Sequence, residues 1–269
     1  MELYYRELGE GPPLVIIHGL YGSSDNWMKT ARSLSNHFRV YVVDLRNHGR
    51  TFHSDVHNYE VMRDDLLELL DKLSVEKATL LGHSMGGKVA VCFAGHYPER
   101  VEQLIVADIA PVSYSGTGRQ SEGRAYHAAV LQAMKAIDID SAGSRAEADK
   151  RLSGTVKNQR IRQFLLKNLK RNEDKSFGWR INLDVLIKEL DNIMDGINSS
   201  CPGFSIPVSG FPVLFIRGER SPYIKDEDFP AIRKIFPQAE IKTLSGAGHW
   251  LHVEQPGKFV KSIVSFTFS

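Results

Sequence analysis

The sequence is short of several things, and each shortage excludes a class of protein. Only two cysteines occur in 269 residues, Cys92 and Cys201, so the disulfide network of a small secreted domain is absent. A chain of this length buries enough surface to fold without such a link. That predicts reduced thiols in a reducing compartment, with Cys92 a packing residue. Neither sign of charge is in excess: 34 Lys and Arg against 32 Asp and Glu leave +2, too balanced for a nucleic-acid or membrane-surface partner. Long apolar runs are missing too. Leu14-Val15-Ile16-Ile17 stops at His18, far short of the ~20 residues of a membrane span. Residues Met1 to Glu7 carry charge where a signal peptide requires an apolar segment, so the expected location is cytoplasmic. No internal repeat or low-complexity tract is present. What remains is ordinary globular composition, 42% hydrophobic and 25% charged.

Up to about residue 111, short apolar runs alternate with helical patterns. Leu14–Ile17, Arg39–Asp44, Ala78–Leu81 and Gln103–Ala107 are brief and nearly continuously apolar, as suits strands buried on both faces of a parallel sheet. Tyr59, Met62, Leu66, Leu69 or Leu70, and Leu73 recur at steps of three and four, one buried helix face with Asn58 as its N-cap. Alternating strands and helices predict an α/β fold with right-handed crossovers. From Val112 to Phe204 the texture changes. Strong strand runs are absent, helical patterns cover Arg160–Leu169 and Val185–Ile193, and Gly116, Gly118, Gly143, Gly154, Pro202 and Gly203 punctuate the stretch. It holds 15 Lys and Arg against 11 Asp and Glu, a net +4 that leaves −2 for the remainder. Strand patterns return at Val213–Ile216 and Ile241–Leu244, with helices near Asp226–Ile235 and Gln255–Phe266. The expected organisation is a core of residues 1–111 and 205–269 interrupted by a helical cap, residues 112–204.

Gly82-His83-Ser84-Met85-Gly86 matches G-x-S-x-G between a strand and a helix over Gly87–His96. Nucleophilic chemistry needs a sharp strand-to-helix turn that lifts the serine hydroxyl out of the sheet, with glycines keeping Cβ atoms out of the crowded turn. A rival reading uses the same segment. Gly82-x-x-x-x-Gly87-Lys88 is a P-loop but for its last position, and Leu104–Asp108 imitates the acidic strand that holds Mg²⁺. Val89, standing where a hydroxyl should ligate magnesium, argues against it.

Three outlying elements favour the serine. His18-Gly19-Leu20 follows a strand, so the Leu20 and Met85 N–H groups predict an oxyanion hole. Gly246-Ala247-Gly248-His249 follows the last strand and offers an imidazole, with His18, His48 and His83 as competitors near the same edge. Asp108 ends a buried strand, at the sheet edge where open α/β sheets bind ligands.

With these residues in place, the sequence resembles the α/β-hydrolase family over essentially its whole length. The order nucleophile, acid, histidine is the one that family uses. Asp44-Leu45-Arg46-Asn47-His48-Gly49 looks like the Asp-x-Arg-x-His-Gly turn of many members. Most members carry their acid about 28 residues before the histidine, where this chain has Ser221; Glu219 and Asp226 are the nearby rivals. The narrower resemblance is to bacterial YbfF-type esterases and ABHD11-type hydrolases. It rests on residues 46–49, 82–88, Asp108-Ile109-Ala110-Pro111-Val112-Ser113-Tyr114, Ser221-Pro222-Tyr223 and 246–250. That resemblance implies Asp108 as the acid and Ser221 as a fourth member of the hydrogen-bond network.

The expected activity is hydrolysis of carboxylic esters of small or medium acyl groups through an acyl-enzyme, with no metal or organic cofactor. A small-molecule ester or thioester is the expected partner. A thioesterase, an amidase, a carbon–carbon hydrolase or lyase, or a ligand receptor on the same fold are the alternatives. The basic run Lys157, Arg160, Arg162, Lys167, Lys170, Arg171 and Lys175 reads as a solvated helix face, with attraction of anionic acyl groups as the alternative. Tyr114, Phe177 and Trp179 are candidate linings of an acyl pocket.

Overall fold

The computed structural model describes residues 2–115, 119–137, 144–173 and 176–268. Gly116, Gly118, Gly143 and Lys175 lie outside the described residues. The elements of the first half are β1 (Tyr5–Leu8), β2 (Pro13–Ile17), α1 (Ser24–Leu34), β3 (Arg39–Val43), α2 (Tyr59–Lys72), β4 (Ala78–His83), α3 (Met85–His96) and β5 (Val101–Ala107). After β5 come α4 (Arg119–Lys135), α5 (Arg145–Leu152), α6 (Gln159–Leu165), a short hairpin of β6 (Leu169–Arg171) and β7 (Phe177–Trp179), α7 (Leu183–Lys188), α8 (Leu190–Met194) and α9 (Ile197–Ser200). The chain closes with β8 (Val213–Gly218), α10 (Phe229–Ile235), β9 (Glu240–Leu244), α11 (Leu251–Glu254) and α12 (Pro256–Thr267).

Seven strands form one sheet in the order β1-β3-β2-β4-β5-β8-β9. All neighbours are parallel except β1 on β3. The apolar strand runs are explained by what each face meets. Leu14 and Ile16 of β2, with Val40 and Val42 of β3, pack among Trp27, Ala31 and Leu34 of α1 and Phe259 and Ile263 of α12. Val15 and Ile17, with Tyr41 and Val43, face the other way onto Met62, Leu66 and Leu69 of α2 and the residues of α3. Helices cover both faces, so a period-two polar pattern has no solvent face to mark. Asn58 caps α2 as expected, its side chain accepting from the Val61 N–H at 3.0 Å.

Three features depart from the sequence reading. β1 has no sequence signal: Tyr5-Arg6-Glu7-Leu8 is a half-buried edge strand of mixed polarity. The β6–β7 hairpin lies in the stretch expected to be helical, its strands too short at three residues each to leave a periodic trace. Cys92 and Cys201, expected as separate reduced thiols, are paired in a disulfide with Cα atoms 6.0 Å apart. The physical reason is packing: α9, at the end of the segment between β5 and β8, lies against α3, and Cys201 is brought onto Cys92 across 109 residues of sequence. Among the described residues no helix is long and apolar enough to cross a membrane.

Candidate active site

Parallel strands deliver their following residues to one edge of the sheet, and the predicted residues converge there. Ser84 sits at the junction of β4 and α3 with φ 53° and ψ −123°, a left-handed backbone that a residue with a Cβ rarely adopts. The flanking glycines are sterically required. A Cβ on Gly82 would lie 2.3 Å from the Gly86 carbonyl oxygen, and one on Gly86 would lie 2.4 Å from the carbonyl oxygens of Ile17 and His18. The turn is held by the Ser84 N–H donating to Ala107 O at 3.0 Å and by Gly87 N–H donating to Ser84 O at 2.8 Å.

Asp108 follows β5, also at positive φ (54°), and is fully buried. One carboxylate oxygen, Oδ1, accepts from the Gly218 N–H at 2.9 Å; the other, Oδ2, lies 2.8 Å from His249 Nδ1 and accepts from the Ser221 hydroxyl. The structure therefore brings together Asp108, His249 and Ser221. The rival acids face elsewhere. Glu219 accepts from the Gly246 N–H at 2.8 Å on the loop's outer side, and Asp226 pairs with Arg217. His249 and Ser84 line one cavity, although Ser84 makes no side-chain hydrogen bond among the described residues. Such contacts commonly tighten only when substrate arrives.

The Leu20 and Met85 N–H groups make no hydrogen bond among the described residues. For Met85, the first residue of α3, this is the ordinary orphaned donor of a helix start. Burial holds the His18 imidazole below its usual range, so it is neutral. Its Nδ1–H donates to Gly19 O at 2.8 Å and its Nε2 accepts from the Leu45 N–H at 3.0 Å. One ring thus fixes the loop carrying Leu20 to the loop after β3. The Asp44–Gly49 turn is part of the same scaffold: the Asp44 carboxylate accepts from the backbone N–H groups of Ser24 and Arg50. A Cβ on Gly49 (φ 59°) would collide with that carboxylate at 2.2 Å. His48 donates no chemistry here; burial and neighbouring imidazoles press it toward neutrality. His83, adjacent to Ser84, bonds through Nε2 to the His249 carbonyl at 2.8 Å and so anchors the histidine loop.

The cavity has a volume of about 300 Å³. The segment between β5 and β8 contributes Tyr126, His127, Ile161, Phe164 and Leu165 to its wall. Tyr114, Phe177 and Trp179 are not in that wall. Tyr114 instead packs over Lys88, whose Nζ is 4.9 Å from its ring centroid. Of the basic run, Arg162 pairs with Asp149, and Lys157, in the loop after α5, donates to the carbonyls of Ser153 and Gly154 just past the end of that helix. Lys88, the lysine of the P-loop reading, is buried and donates to the backbone carbonyls of Met194 and Asp195, away from the edge where a phosphate would lie.

Sequence reasoning gave no role to Tyr223, quoted only within the string Ser221-Pro222-Tyr223, although its ring lies 4.1 Å from that of His249, and it missed His127 of α4, which has no motif and reaches the cavity between two phenols. It also missed Glu254, which accepts from the N–H groups of Gly248 and Trp250 and so shapes the His249 loop.

A strand-turn-helix serine, a buried aspartate bonded to a late histidine, and two unpaired backbone N–H groups at one edge of a mostly parallel sheet define the architecture of an α/β hydrolase. The chain belongs to that family: a family model described as the alpha/beta hydrolase fold matches residues 12–256. It is 42% identical over 261 residues to the mouse (Mus musculus) sn-1-specific diacylglycerol lipase ABHD11, covering 95% of this chain and 80% of the relative. It is 35% identical over 251 residues to Esterase YbfF of Escherichia coli (strain K12), covering 93% and 91%. Among solved structures, a marine microorganism esterase superposes with a TM-score of 0.93 at 45% identity, covering 98% of this chain and 99% of that one. The chain is an esterase/lipase-type, carboxylesterase-like α/β hydrolase.

Proposed function

We propose that the protein hydrolyses carboxylic esters of small or medium acyl groups by two-step acyl transfer, with Ser84 as nucleophile, His249 as base and Asp108 as its partner. The observation that carries this reading is the 2.8 Å contact of Asp108 Oδ2 with His249 Nδ1, in a cavity that Ser84 also lines. A buried carboxylate there fixes the Nδ1–H tautomer, leaving Nε2 unprotonated to take the Ser84 proton. The Ser84 oxygen attacks the ester carbonyl, and the resulting oxyanion rests on the Leu20 and Met85 N–H groups. Collapse expels the alcohol with the proton from His249. Water, deprotonated by the same ring, then attacks the acyl-enzyme, and its collapse returns Ser84 and releases the acid. Every step uses only this chain's residues and water. Ser221 orients Asp108: its hydroxyl and the Gly218 N–H together hold the carboxylate while leaving Oδ2 directed at His249.

Residues 112–204 act as the cap that closes the cavity and selects the acyl group. Its wall from that segment is chiefly apolar, Ile161, Phe164 and Leu165. The names of the mouse and bacterial relatives, a diacylglycerol lipase and an esterase, agree with ester substrates. A fluorophosphonate probe should label the wild type at Ser84 and leave Ser84→Ala unlabelled, and a p-nitrophenyl ester panel should show turnover that falls as the acyl chain outgrows the cavity. An unreactive wild-type protein overturns the reading.

A further inference from the structure

We propose that the Tyr223 hydroxyl is a polar subsite in this largely apolar cavity, donating one hydrogen bond to an oxygen of the bound ligand, with His127 as the positioning residue that frees its proton. Tyr21, His127 and Tyr223 all line the cavity. His127 Nδ1 lies 3.2 Å from the Tyr21 hydroxyl, and its Nε2 lies 3.2 Å from the Tyr223 hydroxyl. Burial, with the nearby His249, pushes the His127 imidazole down to about 4, so the ring is neutral in working conditions. A neutral imidazole has one N–H and one lone pair. It donates to one phenol and accepts from the other.

The two tautomers leave different remainders. With the proton on Nε2, His127 donates to Tyr223 and accepts from the Tyr21 hydroxyl; the proton of Tyr223 then has no acceptor among the described residues. With the proton on Nδ1, Tyr223 donates to Nε2, and Tyr21 turns its proton to the His127 carbonyl at 3.4 Å. The first arrangement offers the ligand a donor, and the second satisfies itself. A ligand oxygen at this point selects the first, and a hydrocarbon chain the second.

The position is fixed on all sides. The Tyr223 carbonyl accepts from the Tyr114 hydroxyl, its N–H donates to Ser221 Oγ at 3.3 Å, and its ring lies against His249. The Tyr223 side chain therefore stands in the same cavity as the imidazole of the proposed chemistry and directly beside it. The ligand class is an ester with a second oxygen (ether, hydroxyl or carbonyl) a few atoms from the ester carbonyl. The ester identity rests on the function proposed above, whereas the hydrogen bond itself does not.

The test is calorimetric and needs no turnover. Ser84→Ala protein is titrated with two isosteric amide pairs: 3-methoxypropananilide against pentananilide, and N-(2-methoxyethyl)butanamide against N-butylbutanamide. Each pair exchanges an ether oxygen for a methylene, one on the acyl side and one on the alcohol side. A net hydrogen bond predicts about fivefold tighter binding of the ether in at least one pair. Adding Tyr223→Phe, which keeps the ring on His249, should bring that ratio to one or below. In ¹⁵N-histidine spectra the preferred ether, and not its methylene partner, should shift His127 to the Nε2–H tautomer. Equal ratios in the two proteins, no binding by either pair, or an unmoved tautomer overturns the proposal. An ether preference in a protein that hydrolyses no ester removes the hydrolase reading and leaves the subsite standing.

Discussion

Replacing Asp108 with asparagine tests the proposed site most sharply, because the surroundings dictate which way the amide must turn. Gly218 N–H donates to Oδ1 at 2.9 Å, so the asparagine oxygen is drawn there and its NH₂ faces His249. An NH₂ donor opposite Nδ1 forces the imidazole proton onto Nε2, the atom that has to accept from Ser84. The flipped amide restores the tautomer but sets NH₂ against a buried N–H, at a cost of about 1–3 kcal/mol, leaving roughly one molecule in ten to one in a hundred competent. Loss of the carboxylate charge opposite the developing imidazolium lowers the rate further. The expected fall in kcat is about 10²–10⁴, with the upper end set by the same substitution in a serine-protease triad. The assay is p-nitrophenyl butyrate hydrolysis against pH, run beside Glu219→Gln. An Asp108→Asn enzyme within tenfold of wild type, with Glu219→Gln inactive, would refute the reasoning.

Three further outcomes concern stability. Lys88 is held down to about 7 by burial against an unfolded value near 10.5, so the native state is the poorer proton binder between those values and stability from this group rises with pH across that window. Urea unfolding should show wild type gaining about 2–3 kcal/mol on Lys88→Met between about pH 7.5 and 9.5; a constant difference would contradict a neutral native lysine. Ser84→Gly should exceed Ser84→Ala in unfolding free energy by about 1 kcal/mol, since relief of the left-handed φ outweighs the added chain entropy; equal stabilities would show the turn to be unstrained. The Cys92–Cys201 link closes a long loop, so under non-oxidising handling Cys201→Ser should cost about 2–4 kcal/mol relative to the oxidised wild type, and a thiol reductant should remove the difference.

Much of this was legible in the sequence because parallel strands write themselves as apolar runs. Five of the sheet's seven strands have that signature and the edge strand β9 only a weaker trace in Ile241 and Leu244; each of the six is followed by a loop at the binding edge, so Ser84, Asp108 and His249 are found by asking what comes after a strand. β1 escapes because an edge strand needs no apolar face on its outer side. The His127–Tyr223 contact and the Cys92–Cys201 pairing escape for another reason. They depend on how the segment between β5 and β8 settles over the edge, and contacts over about 100 residues of separation leave no local period. The aromatic candidates of that segment fail in the same way: Tyr114 packs against Lys88 instead of facing the cavity.

Backbone strain shows how the edge divides its work. Among the described residues, the non-glycine residues at positive φ are Tyr21, Asn47, Ser74, Ser84 and Asp108. Ser74 ends α2, but the other four each follow one of the consecutive parallel strands β2, β3, β4 and β5 within four residues. Each such residue costs about 1–3 kcal/mol where glycine would cost less, so a side chain must be needed at each position. After β4 and β5 the needed groups are the Ser84 hydroxyl and the Asp108 carboxylate. After β2 and β3 they are contacts to the segment between β5 and β8: Asn47 Oδ1 accepts from Asn182 Nδ2 at 3.1 Å, and the Tyr21 hydroxyl meets His127. The strained positions after β4 and β5 therefore hold the proposed chemistry, and those after β2 and β3 contact the segment between β5 and β8. Because Leu20, the proposed oxyanion donor, directly precedes Tyr21, the contacts of Tyr21 with Asn168 and His127 tie that donor's loop to the segment between β5 and β8.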